Sequence, residues 1–189
     1  MISKQMESDL GYVKDLVRRS DRQPTPASIY LLWAALVLVG FALVDLASGR
    51  AVGFFWMIAG PLGGIASGFL GRRSGLRSGQ IRRDIGIRHA LHWGGMLVLT
   101  ALAVLLALTG HIPRDEMGRV ILLVVAFGWW SAGVHFDRVF LWLGGVMMLG
   151  FVGTLLFERY AWTALGLLIA IALVIVASHQ GRRNATQER

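Results

Sequence analysis

The sequence has no cysteine, which excludes disulfides, thiolate catalysis and Cys-ligated zinc or iron–sulfur centres. Charge is scarce as well: 16% of the 189 residues are Asp, Glu, Lys or Arg, against about 25% in a soluble domain. Recognisable reaction motifs are also missing. There is no Ser/His/Asp set, no GxSxG elbow, no phosphate loop and no HExxH pair. Nothing in the chain names a reaction, and an enzyme is not the reading it favours.

What the chain has is apolar residues, 55% of the total, gathered into long runs. That pattern excludes an ordinary soluble globule and a disordered chain. About 20 residues at 1.5 Å each cross a hydrocarbon core about 30 Å thick. Six runs reach that length: 29–47, 51–71, 90–108, 120–136, 139–157 and 161–178. The expected fold is therefore all-α, a polytopic bundle of six transmembrane helices. The links at 48–50, 137–138 and 158–160 are too short for anything but tight turns, so sequential helices are expected to be antiparallel neighbours.

The net charge of +8 has a topological explanation that needs no nucleic acid. Lys4, Lys14, Arg18, Arg19 and Arg22 precede the first span. Arg72, Arg73, Arg77, Arg82, Arg83 and Arg88 follow the second, Arg138 follows the fourth, and Arg182, Arg183 and Arg189 form a basic tail over 179–189. Only Arg50, Arg114, Arg119 and Arg159 fall on the other side. The bias predicts that both termini are cytoplasmic, and the short loops and seventeen Arg against two Lys suggest a bacterial inner-membrane protein. The arginines from Arg72 to Arg88 form a patch suited to anionic lipid headgroups.

Residues 1–28 form a separate cytoplasmic piece. Ile2, Met6, Leu10, Val13 and Val17 recur at helical spacing, which predicts an amphipathic helix over residues 3–19. Pro24 and Pro26 then separate it from the first span. Such a helix lies on the leaflet or docks on a protein partner or a second copy.

Within the spans, Gly60, Gly64 and Gly68 recur every four residues, with Gly63 and Ser67 on the adjacent stripe. This glycine-zipper face predicts close helix packing at the centre of the bundle, or alternatively a dimer seam or a pore-facing helix. Pro61 interrupts the same span and frees the carbonyl of Met57. Trp129, Trp130 and Ser131 lie near the middle of the fourth span. At least one of the two tryptophans is expected to point inward, as a packing residue or, with Pro61, as the wall of a ligand cavity. Trp33, Trp93 and Trp142 suit one interfacial belt, and Trp56 and Trp162 the other.

Asp45 is the one acid near a span interior, and an interfacial pair with Arg50 or Arg119 is expected. The absence of Glu, Lys or Arg in the middle third of any span argues against ion-coupled transport. His89, His92 and His135 lie at one boundary. Imidazoles there are metal or haem ligands in a minority reading and ordinary interfacial residues in the plainer one.

Three functions follow. The leading one is a non-catalytic membrane subunit, adaptor or regulator that works by contacts. The second is a small-solute transporter or channel with a central cavity. The third is a haem- or metal-bearing membrane protein.

Overall fold

The computed structural model describes residues 10–12, 25–77, 83–157 and 159–187. These are helical with short connections: α1 (Ala27–Leu46), α2 (Gly49–Arg77), α3 (Arg83–Leu108), α4 (Met117–His135), α5 (Val139–Leu156) and α6 (Ala161–Gln187). Each carries a stretch long and apolar enough to cross a membrane, so this is a multi-pass integral membrane protein. Residues 10–12 are helical and exposed. The rest of the expected amphipathic helix, and Arg82, lie outside the described residues.

Local chemistry sets the helix ends. Beyond α3, Gly110 adopts φ +79, a left-handed conformation that glycine takes without steric cost. The amides of His111 and Ile112 then bond back to the carbonyl of Leu106, and Pro113 stops the chain from coiling on. At the α4–α5 turn, the Asp137 carboxylate accepts the amide of Val139 at 3.1 Å, satisfying a donor that the new helix leaves open. At the start of α6, Tyr160 sits at φ 58, and its carbonyl accepts the amide of Ala164 at 2.9 Å.

Four helices make the core. Tyr30, Ala34, Val37 and Phe41 of α1 meet Leu165, Ile169, Leu173 and Ala177 of α6. Leu122, Ala126, Trp129 and Ala132 of α4 meet Phe140, Leu143 and Met147 of α5. These residues repeat every three or four positions, so each helix commits one stripe inward. Rings interlock at the centre: Trp129 lies edge-on to Trp93 at 5.8 Å and to Phe140 at 5.5 Å.

Glycines bring these helices together, but not the ones the four-residue repeat singled out. A Cβ on Gly133 would collide with the backbone of Leu141, and one on Gly144 with the backbone of Trp130. Those two glycines allow α4 and α5 to touch main chain to main chain. Gly166 does the same for α6 against Phe41 of α1. By contrast, nothing lies within 4 Å of the Cβ position at Gly60, Gly64 or Gly68. Of the predicted packing stripe, only Gly63 and Ser67 meet a neighbour. Gly63 packs against Leu36 and Trp33, and Ser67 accepts the Trp33 indole N–H at 3.0 Å.

The expectation that all sequential helices are neighbours also needs correction. Among the described residues, no Cα of α2 comes within 8 Å of α3. α2 rests on α1 alone, and α3 on α4 alone. The physical reason is the link. Two- to four-residue turns force adjacency at the other tight hairpins, whereas the α2–α3 connection is longer and imposes none. In space the helices run α2, α1, α6, α5, α4, α3, an incomplete ring open between its two arms. Only 6% of the α2 span is buried, against 33% for α4 and α6.

Asp45 departs from expectation as well. Its Oδ2 accepts both the backbone N–H and the hydroxyl of Thr163, each at 2.7 Å, in place of an arginine. The carboxylate thus caps the N-terminus of α6, where unpaired amides and the helix dipole favour negative charge. Arg119 is engaged elsewhere, with Glu116 and with the carbonyl of Thr154.

Candidate functional site

The gap between the arms opens into a cleft of about 3320 Å³ that reaches inward to residues of all six helices, Met147 of α5 and Ile169 of α6 among them. Pockets for small solutes hold about 300–1,000 Å³, so this space suits something longer. One wall is the glycine face of α2, with Gly53, Gly60, Gly64 and Gly68; the other is α3, with Ala90, Gly94, Leu97 and Ala101. The floor carries Trp33 and Phe41 of α1 with Trp129 and Val125 of α4. The four-residue repeat of small residues therefore strips one wall of side chains and widens the opening, where the sequence suggested helix packing.

The cleft is apolar along its middle and bordered by charge at both ends: Arg114, Asp115 and Arg119 lie at one, and the opposite, polar end carries the larger set. Tyr30, Arg72, Arg77, Asp137, Arg138, His179 and Gln180 border that end. They come from the start of α1, the end of α2, the α4–α5 turn and the end of α6, which the antiparallel topology places at the same face. Arg72, Arg77 and Arg138 are exposed. Tyr30 is only 1% exposed. Thr25 and Gln180 are its polar neighbours and Asp137 a charge that acts on it, yet no hydrogen bond of ordinary geometry closes on the hydroxyl among the described residues. The Oε1 of Gln180 is likewise buried without a partner among the described residues. Unpaired buried polar atoms are costly, about 1–3 kcal/mol each, and two beside one opening are unusual.

The expected cavity set divides. Pro61 and Trp129 border the cleft. Trp129 is the inward tryptophan, 8% exposed, whereas Trp130 is 43% exposed and, like Ser131, is not part of the lining. α2 runs unbroken through Pro61. Met57, whose carbonyl the proline leaves without its amide partner, borders the cleft too. The tryptophans expected at the boundaries differ in their surroundings. Trp142 is 80% exposed, as a belt residue would be, but Trp33 spends its N–H on Ser67 and Trp93 packs on the core.

His89, His92 and His135 gather around one ring, that of Phe136. His89 stacks on it at 4.0 Å, His92 meets it edge-on at 5.4 Å, and His135 lies at 6.4 Å. His92 Nε2 donates to the carbonyl of Gly128 at 3.0 Å, and His135 Nδ1 to that of Ser131 at 2.7 Å. Among the described residues, no group of three His, Asp or Glu side chains is arranged to hold a metal ion.

Arg72, Arg73, Arg77 and Arg88 are all exposed, as headgroup contacts require. Only Arg72 and Arg77 also border the cleft. The side chain of Arg83 lies outside the described set. Sequence reasoning missed Tyr30 and Gln180. Their one signal was a tyrosine and a glutamine at helix positions facing the same boundary, and a hydrogen-bonding deficit is invisible without coordinates. Comparison with protein-family models, curated proteins and solved structures yields no match.

Proposed function

We propose that this protein is a non-catalytic membrane component that works by binding, and that its binding surface is the lateral cleft between α2 and α3. The observation that carries this reading is the separation of the two arms. Consecutive helices in lipid gain dispersion energy by packing, especially through glycine faces. Here the glycine face of α2 and the α3 face of Ala90, Gly94, Leu97 and Ala101 border a shared gap and do not meet. A surface of that kind is suited to a molecule that enters sideways from the bilayer. Between its two charged ends the cleft has no charged side chain among the described residues, which supports binding over ion-coupled transport.

The orientation we propose has both termini and the polar end of the cleft at the cytoplasmic side of a bacterial inner membrane. The arginine bias supports it. Reporter fusions at either terminus test it directly.

The binding reading is tested by photo-crosslinking in native membranes. A benzophenone amino acid replaces Gly64, where open space accepts its bulk. Adducts are expected from position 64. A benzophenone at the lipid-facing Trp142 reports background contacts. Adducts from position 64 no more specific than those from position 142 would overturn the reading.

A further inference from the structure

We infer that the occupant of the cleft is an anionic phospholipid, its headgroup held at the polar end and its acyl chains lying along the glycine face of α2. The inference rests on the binding reading above and names the ligand class.

Charge selects among occupants. Arg72, Arg77 and Arg138 border the polar end, with Asp137 as the acid there and His89 and His179 as the histidines. One oxygen of Asp137 is already engaged with the Val139 amide. A second copy of this chain, docked cleft to cleft, would bring two sets of these arginines together, which like-charge repulsion opposes. A phosphodiester anion matches them, and arginine forks bind phosphate oxygens in pairs.

The unpaired polar atoms argue in the same direction. The Tyr30 hydroxyl lies at the cleft beside Thr25 and the Gln180 side chain, yet neither it nor the buried Gln180 Oε1 closes a hydrogen bond of ordinary geometry among the described residues. A phosphate oxygen accepts from the tyrosine, and a headgroup hydroxyl donates to the glutamine oxygen. The middle of the cleft is lined by residues suited to hydrocarbon, including Trp33, Ile65, Leu97 and Trp129, before Arg114, Asp115 and Arg119 border its far end. The opening lies between two helices that are each long and apolar enough to span the membrane, so lipid is the solvent around it.

The test uses the purified full-length protein and native mass spectrometry, with phosphatidylglycerol and phosphatidylcholine as probes. The expected result is a phosphatidylglycerol adduct that survives delipidation, with phosphatidylcholine held at least about tenfold more weakly, the worth of one charge-assisted hydrogen bond. Tyr30→Phe and Arg77→Gln are each expected to weaken phosphatidylglycerol by about tenfold. Arg77 is exposed, so its variant keeps the fold even if Tyr30→Phe disturbs it. Inorganic phosphate in large excess is expected to leave the lipid bound. Displacement by phosphate would mean an anion site that ignores the acyl chains, and would overturn the proposal. Equal retention of the two lipids would overturn it too, as would two variants that bind like the parent. A polypeptide adduct from position 64 would refute the lipid and leave the binding cleft standing. No specific adduct at all would remove both.

Discussion

The carboxylate of Asp45, at the end of α1, caps the first turn of α6 through the amide and hydroxyl of Thr163, both 2.7 Å away. This contact joins the most distant pair of neighbouring helices in sequence. It lies near the membrane boundary, where a lone carboxylate would otherwise be expensive. Asp45→Ala is expected to lower thermal stability in detergent by about 1–3 kcal/mol, because the α6 amide loses a charged acceptor. Arg50→Ala is expected to change little. If Arg50→Ala were as damaging, Asp45 would owe its stability to an ion pair, and the capping account would fail.

The glycines sort into two classes with opposite responses. In Gly144→Ala the new methyl meets the backbone of Trp130 and the Ala126 carbonyl, where nothing flexible can give way. A loss of about 1–3 kcal/mol is expected from overpacking. In Gly60→Ala the methyl meets nothing within 4 Å, and helix propensity favours alanine by about 0.5–1 kcal/mol. Thermal unfolding of the two variants checks the sign. A destabilised Gly60→Ala would mean that the stripe packs on something within the protomer.

Trp33 and Ser67 form a hydrogen bond that ties α2 to the core. Ser67 in turn donates to the carbonyl of Gly63 at 2.7 Å, which orients the hydroxyl to accept. A double-mutant cycle of Trp33→Phe and Ser67→Ala is expected to give a coupling of about 0.5–1.5 kcal/mol. Hydrogen exchange along α2 is expected to rise in either variant while α4 and α5 stay protected. Uniform loss of protection would show that the arm and the core unfold as one unit.

Adjacent tryptophans have unequal weight. Trp129 fills the centre of an aromatic cluster, and Trp129→Ala is expected to cost about 3–5 kcal/mol. Trp130 is largely exposed, and Trp130→Ala is expected to cost clearly less. Denaturation in mixed micelles compares them, and equal losses would contradict the assigned burial.

Helix number and approximate boundaries were legible in the sequence because hydrophobic length is a direct physical requirement of crossing lipid. The identity of neighbours was less so. Lipid tails are as apolar as a protein core, so a buried Leu173 and an exposed Leu97 look alike in the sequence. The glycine repeat at 60, 64 and 68 was visible, but periodicity gives a face and not what lies against it. Gly133 and Gly144, which do bring helices together, sit on different helices and form no repeat. The short turns correctly implied hairpins, yet α1 packs on α6 across the whole length of the chain, a closure no local signal records. For Asp45, arginines near in sequence suggested an ion pair, whereas its partner is more than a hundred residues away.

The central claim is that α2 and α3 stand apart within the membrane. Disulfide trapping tests it most directly, because the absence of native cysteine gives a clean background. The pair Gly64→Cys with Gly94→Cys places thiols on the facing walls, and Leu36→Cys with Gly63→Cys spans the real α1–α2 contact. A disulfide needs Cα atoms about 4.4–6.8 Å apart, and no Cα of α2 lies within 8 Å of α3 among the described residues. Oxidation in native membranes is expected to bridge the second pair and leave the first reduced. An efficient bridge between positions 64 and 94 within one chain would mean that the arms close on each other, and the cleft account would be wrong.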